Sequence, residues 1–114
     1  MNKSFLSGDT IDDILDHGGE IFHAHNEREI HYYIRYPNGY GASIIKIFSC
    51  MDKFEVGVLL SVGDDIVRDG HPVYDTDITD DVIGDLTSDD VAMVCWHISR
   101  LSSDGSLPYY DKTS

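Results

Sequence analysis

The chain of 114 residues has few cysteines and no long apolar run, and each shortage excludes a class of protein. Its two cysteines, Cys50 and Cys95, are far apart and lie in apolar segments, the usual setting of buried free thiols. Nowhere are 18 consecutive residues apolar, and residues 1–8 contain no apolar core of a secretion signal. We therefore expect an unexported protein of the reduced cytoplasm, without disulfides and without a membrane segment.

Positive charge is also scarce. Eight Lys and Arg stand against 21 Asp and Glu, which gives a net charge of −13. Because the basic residues are scattered, a basic groove for nucleic acid is excluded, and phosphate would be repelled. No glycine-rich phosphate loop occurs, and no Ser/His/Asp or Cys/His arrangement can be ordered from the sequence. We expect a protein that is not an enzyme and holds no cofactor. Adaptation to high salt is an alternative origin of the acidity, although halophilic charge should cover every face.

What the chain does contain is enough apolar residue for one folded domain. The apolar fraction is 41%, and the domain should span residues 1–114, with loosely ordered tails at 1–8 and 102–114. Three segments alternate apolar and polar residues, and Pro37-Asn38-Gly39 is a strong turn signal between the first two. The segments, which predict strands of a consecutive antiparallel meander, are 29–36, 41–49 and 53–61.

Helices are predicted on both sides of these strands. Ser7 to Thr10 can cap a short N-terminal helix that ends at Gly18-Gly19. Thr79 would open a second short helix to Leu86, and Thr87 or Ser88 a longer one to about Leu101. The apolar stripe predicted for this longer helix is Val91, Val94, Cys95, Ile98 and Leu101. The sequence therefore predicts an α+β fold. It combines a three- to four-stranded antiparallel sheet with a short N-terminal helix and two C-terminal helices, the last covering one sheet face.

The acidic residues are concentrated between Asp64 and Asp90, where ten aspartates against a single basic residue, Arg68, give a net charge of −9. Some of them suit the positive N-termini of the predicted helices. The others predict a surface that binds a basic partner, since carboxylates on neighbouring turns lie roughly 5–6 Å apart and can replace nucleic acid in a cleft. The candidate partner contacts are Asp64, Asp65, Asp69, Asp75, Asp77, Asp80, Asp81, Asp85, Asp89 and Asp90.

Two aromatic residues, Trp96 and Tyr40, are the candidate apolar anchors of that interface. Trp96 shares a flank of the last predicted helix with Met93 and Arg100, and Trp and Arg are enriched at interface hot spots. A wider core face on that helix is the alternative interpretation of the same spacing.

Two stretches of the sequence resemble metal-binding sites. Residues 75–86 resemble a calcium loop, but Asp80 stands where the turn needs Gly, and Leu86 stands where a bidentate Glu is needed. Asp75 and Asp77 also spell the aspartate pair of one phosphatase class, with too few residues after them for its other ligands. His23 and His25, with His31 on the next strand, could ligate zinc in a small metal-dependent enzyme. Solvated histidines are the alternative, and no metal is predicted.

Finally, three stretches resemble small, acidic proteins of tailed bacteriophages and prophages. They are YPNGYGAS at 36–43, EVGVL at 55–59 and YDTDITDDVIGDLT at 74–87, with Asp77 where those proteins have Pro. The resemblance spans about 36–101 and implies an origin rather than an activity. Because such proteins often block host machinery, it implies an anti-CRISPR-like inhibitor in the host cytoplasm that binds a basic host protein, as a monomer or a homodimer. The alternative is a phage accessory or structural protein that self-associates through its sheet edge or last helix.

Overall fold

The centre of the molecule is an antiparallel sheet with helices at both ends of the chain order. The computed structural model describes residues 6–25, 29–47, 53–61, 65–79 and 81–108. The elements within these ranges are α1 (Gly8–Asp16), β1 (Glu20–His25), β2 (Glu29–Arg35), β3 (Tyr40–Ile47), β4 (Phe54–Ser61), α2 (Ile66–Asp69), β5 (Gly70–Pro72), β6 (Ile83–Leu86) and α3 (Ser88–Ile98).

Strands β1 to β4 follow one another as antiparallel neighbours, and the outer edge of β4 is shared by two short strands. At one end of that edge β5 pairs with Leu59–Ser61 of β4, while at the other end β6 pairs with Phe54 and Val56. The fold is therefore α+β with an antiparallel meander, as the sequence predicted. The sheet is larger than expected, however, with six strands among the described residues in place of three or four.

The prediction of the first of the two C-terminal helices is wrong. The segment from Thr79 to Leu86 contains β6 and not a helix. Val82, Ile83 and Gly84 favour helix poorly, and the unpaired N–H and C=O groups along the edge of β4 offer this segment hydrogen bonds that a short, isolated helix could not replace. Asp85 has a positive φ of 63°, which no helix accommodates. The other added strands, β1 and β5, are too weakly alternating or too short to be recognised from sequence.

One face of the sheet is covered by α1 and α3, and this side holds the core. Ile30, Tyr32 and Ile34 of β2 are buried and alternate with half-buried residues, which confirms the predicted alternation. The helices add fully buried side chains from the predicted stripe of α3 and from α1. These core residues are Ile14, Val91, Cys95 and Ile98.

Tyr36 and Cys95 form a polar pair inside this core. The buried Tyr36 hydroxyl lies beside the Cys95 thiol, a weak hydrogen-bonding group, and has no stronger partner in the described part of the chain. Burial raises the pKa of Tyr36 far above its usual range. Burial likewise raises the pKa of Cys95, to about 12, although its contact with Tyr36 opposes the shift. Both groups are therefore neutral in the native protein.

The ends of the helices are fixed by side chains. Ser7 caps α1, and Thr87 caps α3 in a reciprocal arrangement with Asp90. The hydrogen bonds from Thr87 lower the pKa of Asp90, so this contribution to stability is present at neutral pH and is lost as the pH falls. At its other end, α3 is held by the Asn38 side chain, which donates to the carbonyl oxygens of Ile98 at 2.8 Å and Leu101 at 3.1 Å.

The two predicted tails lie partly within the described residues. Leu6 is buried, and Leu107 is buried with its backbone N–H donating to Asp77 Oδ2 at 2.8 Å. Residues 1–5 and 109–114 lie outside the described ranges. Among the helices described here, none has the length and apolar character needed to cross a membrane.

Candidate binding surface

The acidic segment follows the outer edge of β4. Asp69 immediately precedes Gly70, which pairs with Ser61, and Asp85 immediately precedes Leu86, which pairs with Phe54. Those two pairs are seven positions apart on β4, a distance of about 24 Å. Asp69 and Asp85 therefore lie toward opposite ends of the β4 edge and do not converge on a single point.

Several of the predicted contact residues have local structural roles. Asp65 accepts hydrogen bonds from the backbone of Val67 and Arg68 as the N-cap of α2. Carboxylate oxygens of the others each accept from a nearby or docked backbone N–H: Asp77 from Leu107, Asp81 from Val82, and Asp90 from Thr87. These hydrogen bonds account for aspartate at the four positions, and no binding protein is needed to explain it. Asp64 and Asp80 lie outside the described residues.

Three further aspartates are exposed: Asp69 directly before β5, Asp75 three residues after it, and Asp85 in β6; they are here called the acidic strip. No side-chain hydrogen bond joins their carboxylates to another described residue, so these groups face solvent. Asp85 has a positive φ of 63°, a conformation that few residues besides aspartate and asparagine tolerate. Asp→Asn is consequently the mildest way to neutralise that position.

Tyr40 is a core residue and not a surface anchor, which corrects the prediction. Only 6% of it is exposed, and its hydroxyl donates to the Ser103 carbonyl at 3.2 Å. The register of β3 explains the error, since Tyr40 lies on the covered sheet face together with Ala42 and Ile44. Burial raises the pKa of Tyr40, and the nearby carboxylates of Asp75 and Asp104 raise it further.

Trp96, in contrast, lines a groove of about 440 Å³ between α1 and α3. Helix α1 contributes residues at a regular four-residue spacing, and α3 faces them with a matching stripe. The residues that define the groove are Asp9, Asp13 and His17 from α1, and Asp89, Met93 and Trp96 from α3. Of these six, Asp89 and Trp96 were predicted as partner contacts from the sequence, and Met93 was placed on the same flank as Trp96.

The two helices that form the groove run in the same direction. At their N-terminal ends Thr10 Oγ1 donates to the Ser88 carbonyl at 3.0 Å. At the other end the rings of His17 and Trp96 meet edge to face, with 6.5 Å between their centroids. Both positive helix N-termini therefore lie side by side, which favours the carboxylates of Asp9 and Asp89 in the first turns.

A cluster of hydroxyl groups holds these N-termini together. Thr10, only 1% exposed, places its hydroxyl 2.8 Å from Ser88 Oγ and 3.0 Å from Ser7 Oγ. The Ser7 backbone N–H donates to Ser88 Oγ at 3.0 Å. Since residues 7 and 88 belong to opposite ends of the chain, this cluster sets how α1 is placed against α3.

We expect Thr10→Val to lower the free energy of unfolding by about 1–3 kcal/mol, because the half-buried Ser88 carbonyl and hydroxyl would lose the Thr10 hydroxyl as their shared partner. Thr10→Ser keeps the hydroxyl and should lose less. Urea denaturation of the two variants beside the wild-type protein measures the difference. If Thr10→Val proved as stable as Thr10→Ser, the hydroxyl cluster would not be what fixes α1.

His31 lies apart from His23 of the predicted zinc alternative, and the side chain of His25 lies outside the described part of the chain. His31 pairs with Ala24 across β1 and β2, so it lies on the sheet face opposite to His23. Its Nε2 lies 2.6 Å from Ser43 Oγ, and burial lowers its pKa, with the Glu29 charge opposing. In the described ranges, no three His, Cys, Asp or Glu side chains come together to hold a metal ion.

The second sheet face is only partly covered. Ile66 of α2 packs against Gly41 at one end. Further along the face, a cavity of about 110 Å³ is bordered by Ile45, Leu59, Tyr74 and Val82. Tyr74 and Val82 are 52% and 49% exposed, so this face presents apolar surface to solvent.

No protein family matches the chain, and neither a curated protein nor a solved structure matches it. Function is accordingly inferred from the surfaces described above.

Proposed function

We propose that this protein acts by binding and not by catalysis. Its acidic surface would occupy the basic, nucleic-acid-binding cleft of a bacterial host protein and so inhibit it. The observation that carries this proposal is the acidic strip, whose exposed carboxylates serve no described hydrogen bond within the fold. A surface of this kind attracts Lys- and Arg-lined clefts and repels nucleic acid.

The dimensions of the strip support mimicry of nucleic acid. Asp69 and Asp85 mark its ends, about 24 Å apart along β4. That length corresponds to the rise of about seven base pairs of duplex, which is the size of a cleft that holds a short piece of DNA. The net charge of −13 adds long-range attraction, which speeds association with a basic partner.

The resemblance of residues 36–43 and 74–87 to phage proteins supports a phage origin for this protein. A phage gains from blocking host defence and nucleic-acid enzymes, so an anti-CRISPR-like inhibitor in the host cytoplasm is the specific form we propose. The second stretch covers Asp75 and Asp85, so the resemblance and the acidic strip coincide in the chain.

The test is a pull-down from bacterial lysate with the wild-type protein and with Asp69→Asn/Asp75→Asn/Asp85→Asn. We expect the wild-type protein to retain a basic nucleic-acid-handling protein that elutes between about 0.1 M and about 1 M salt, as screening shortens from about 10 Å to about 3 Å. Retention by the triple variant should fall by at least about tenfold. The wild-type protein should also compete with nucleic acid for the captured partner.

A matched control removes three negative charges elsewhere. Asp12→Asn/Asp16→Asn/Glu20→Gln has the same net charge as the triple variant, and all three side chains are exposed away from the β4 edge. Glu20→Gln also replaces the ion pair of Glu20 with Arg35, 2.6 Å apart, by a neutral hydrogen bond, so circular dichroism must show that the control is folded. This control should bind like the wild-type protein. Equal losses in both variants would reduce the effect to net charge, and retention that ignores salt would contradict mimicry altogether.

A second candidate function is that of a self-associating phage accessory or structural protein. The partly open second sheet face favours it, with Tyr74 and Val82 exposed beside an apolar cavity. Strand β1 favours it too, because β2 is its only neighbour among the described strands. A pull-down that returns only the chain itself would support this candidate in place of the first.

A further inference from the structure

The groove between α1 and α3 combines negative walls with an apolar floor. Asp9 and Asp89 are exposed at one end, and Asp13 continues the negative side of α1. The floor is formed by Met93, which is 62% exposed, and by the half-buried Trp96. A ligand that fits must carry positive charge at one point and apolar length at another.

The indole of Trp96 already contacts a cationic side chain of the same helix end. The guanidinium carbon of Arg100 lies 5.1 Å from the centre of the Trp96 ring, within the range of a cation–π contact. His17 approaches the same ring edge-on from α1. The ring thus lies in a setting of cationic and aromatic contacts and not in the interior of the core.

We propose that this groove binds arginine or lysine side chains of a basic protein segment, an inference that rests on the proposed function in taking the partner to be basic. The methylene groups of such a side chain would lie on Met93 and Trp96. Its charged end would reach the carboxylates of Asp9, Asp13 and Asp89. Lys and Arg suit this arrangement because they bury an apolar stem while the charged end stays in water.

The spacing within the groove indicates two such side chains. Asp9 and Asp13 are one helical turn apart, about 6 Å along α1. Side chains two residues apart on an extended segment are about 6.7 Å apart and point the same way. An arginine at every second position of an extended peptide would therefore meet both carboxylates at once. A simple metal ion or inorganic cation would gain nothing from the apolar floor.

The chain contains a single tryptophan, so the fluorescence of Trp96 reports directly on the groove. The probe is a synthetic peptide with arginine at alternate positions, and its control is the same peptide with neutral citrulline in those places. We expect a saturable change in Trp96 fluorescence with the arginine peptide and none with the citrulline peptide. Asp9→Asn/Asp13→Asn/Asp89→Asn should weaken binding at least about tenfold, and Met93→Ala should weaken it as well.

The variant Asp69→Asn/Asp75→Asn/Asp85→Asn separates this proposal from the proposed function, because it has the same net charge as the groove variant. It should bind the arginine peptide as the wild-type protein does.

If only the acidic-strip variant lost the peptide, the groove would be the wrong surface while the proposed function stood. If neither peptide changed Trp96 fluorescence, the groove proposal would fail whatever the pull-down showed. The peptide could also bind the groove while the pull-down captures no basic host protein. That result would support this inference and refute the proposed function. Circular dichroism of each variant checks that its fold is intact.

Discussion

Gly41→Ala is expected to lower the free energy of unfolding by about 3 kcal/mol or more. A Cβ atom at this position of β3 would collide with the carbonyl oxygen of Ile34 and with Cδ1 of Ile66. The first is backbone of the neighbouring strand and cannot move aside, and the second anchors α2 to the sheet. The variant should therefore also release α2, which carries Asp69 at one end of the acidic strip.

Denaturation in urea measures this loss, and Gly57→Ala is its matched control. Gly57 lies in the adjacent strand on the same sheet face, where an added Cβ would meet only Cγ1 of Val82, at 3.4 Å. We expect the control to change stability by less than about 1 kcal/mol. Similar values for the two variants would mean that Gly41 is not in close contact with Ile34 and that α2 is placed differently.

Cys95 is expected to react with iodoacetamide about a thousandfold more slowly in the native protein than in urea. Its thiol is fully buried, and burial raises its pKa from 9.0 to about 12. The population of the reactive thiolate therefore falls about a thousandfold. Mass spectrometry of a Cys50→Ser variant follows this one thiol. Labelling of native Cys95 at the rate of the unfolded chain would contradict the packing of α3 on the sheet.

The same pKa shift gives a pH dependence. Because the folded pKa of Cys95 is raised, its contribution to stability is complete below pH 9 and is lost as the pH rises toward 12. Tyr36 adds to the loss at high pH, since burial raises its pKa too. The native state should consequently lose stability in strong alkali.

The parts of the fold that could be predicted are those that local sequence determines. Pro37-Asn38-Gly39 forms the turn between β2 and β3, with Gly39 at a φ of 89°, as such a sequence favours. Helix α3 begins after Thr87 and buries Val91, Cys95 and Ile98 of the predicted stripe. In both cases the hydrogen bonds and burial lie within a few residues of the pattern.

The segment before α3 was predicted wrongly because a distant partner determines its structure. Ile83–Leu86 is extended because β4 offers an unpaired edge, and β4 is more than twenty residues earlier in the chain. No periodicity within the segment records that edge. The position of Asp85 changed with it, from a helix face to an exposed site of positive φ on the edge of the sheet.

The groove shows the same limit. Asp89 and Trp96 could be selected because acidic clustering and a lone tryptophan are visible in sequence. The four-residue spacing of Asp9, Asp13 and His17 is visible as well, but it identifies a helix face without showing what lies opposite. That relation depends on contacts between Thr10 and Ser88, 78 residues apart in the chain.

Since α1 is made early in translation and α3 late, that separation also decides when the groove can exist. A nascent chain on the ribosome could form the hairpin of β2 and β3 soon after it emerges, because those contacts are local. The wall that contains Trp96 would still be missing, and Thr10 would have no partner. During synthesis the groove itself should therefore stay incomplete until the last helix has been released and folded.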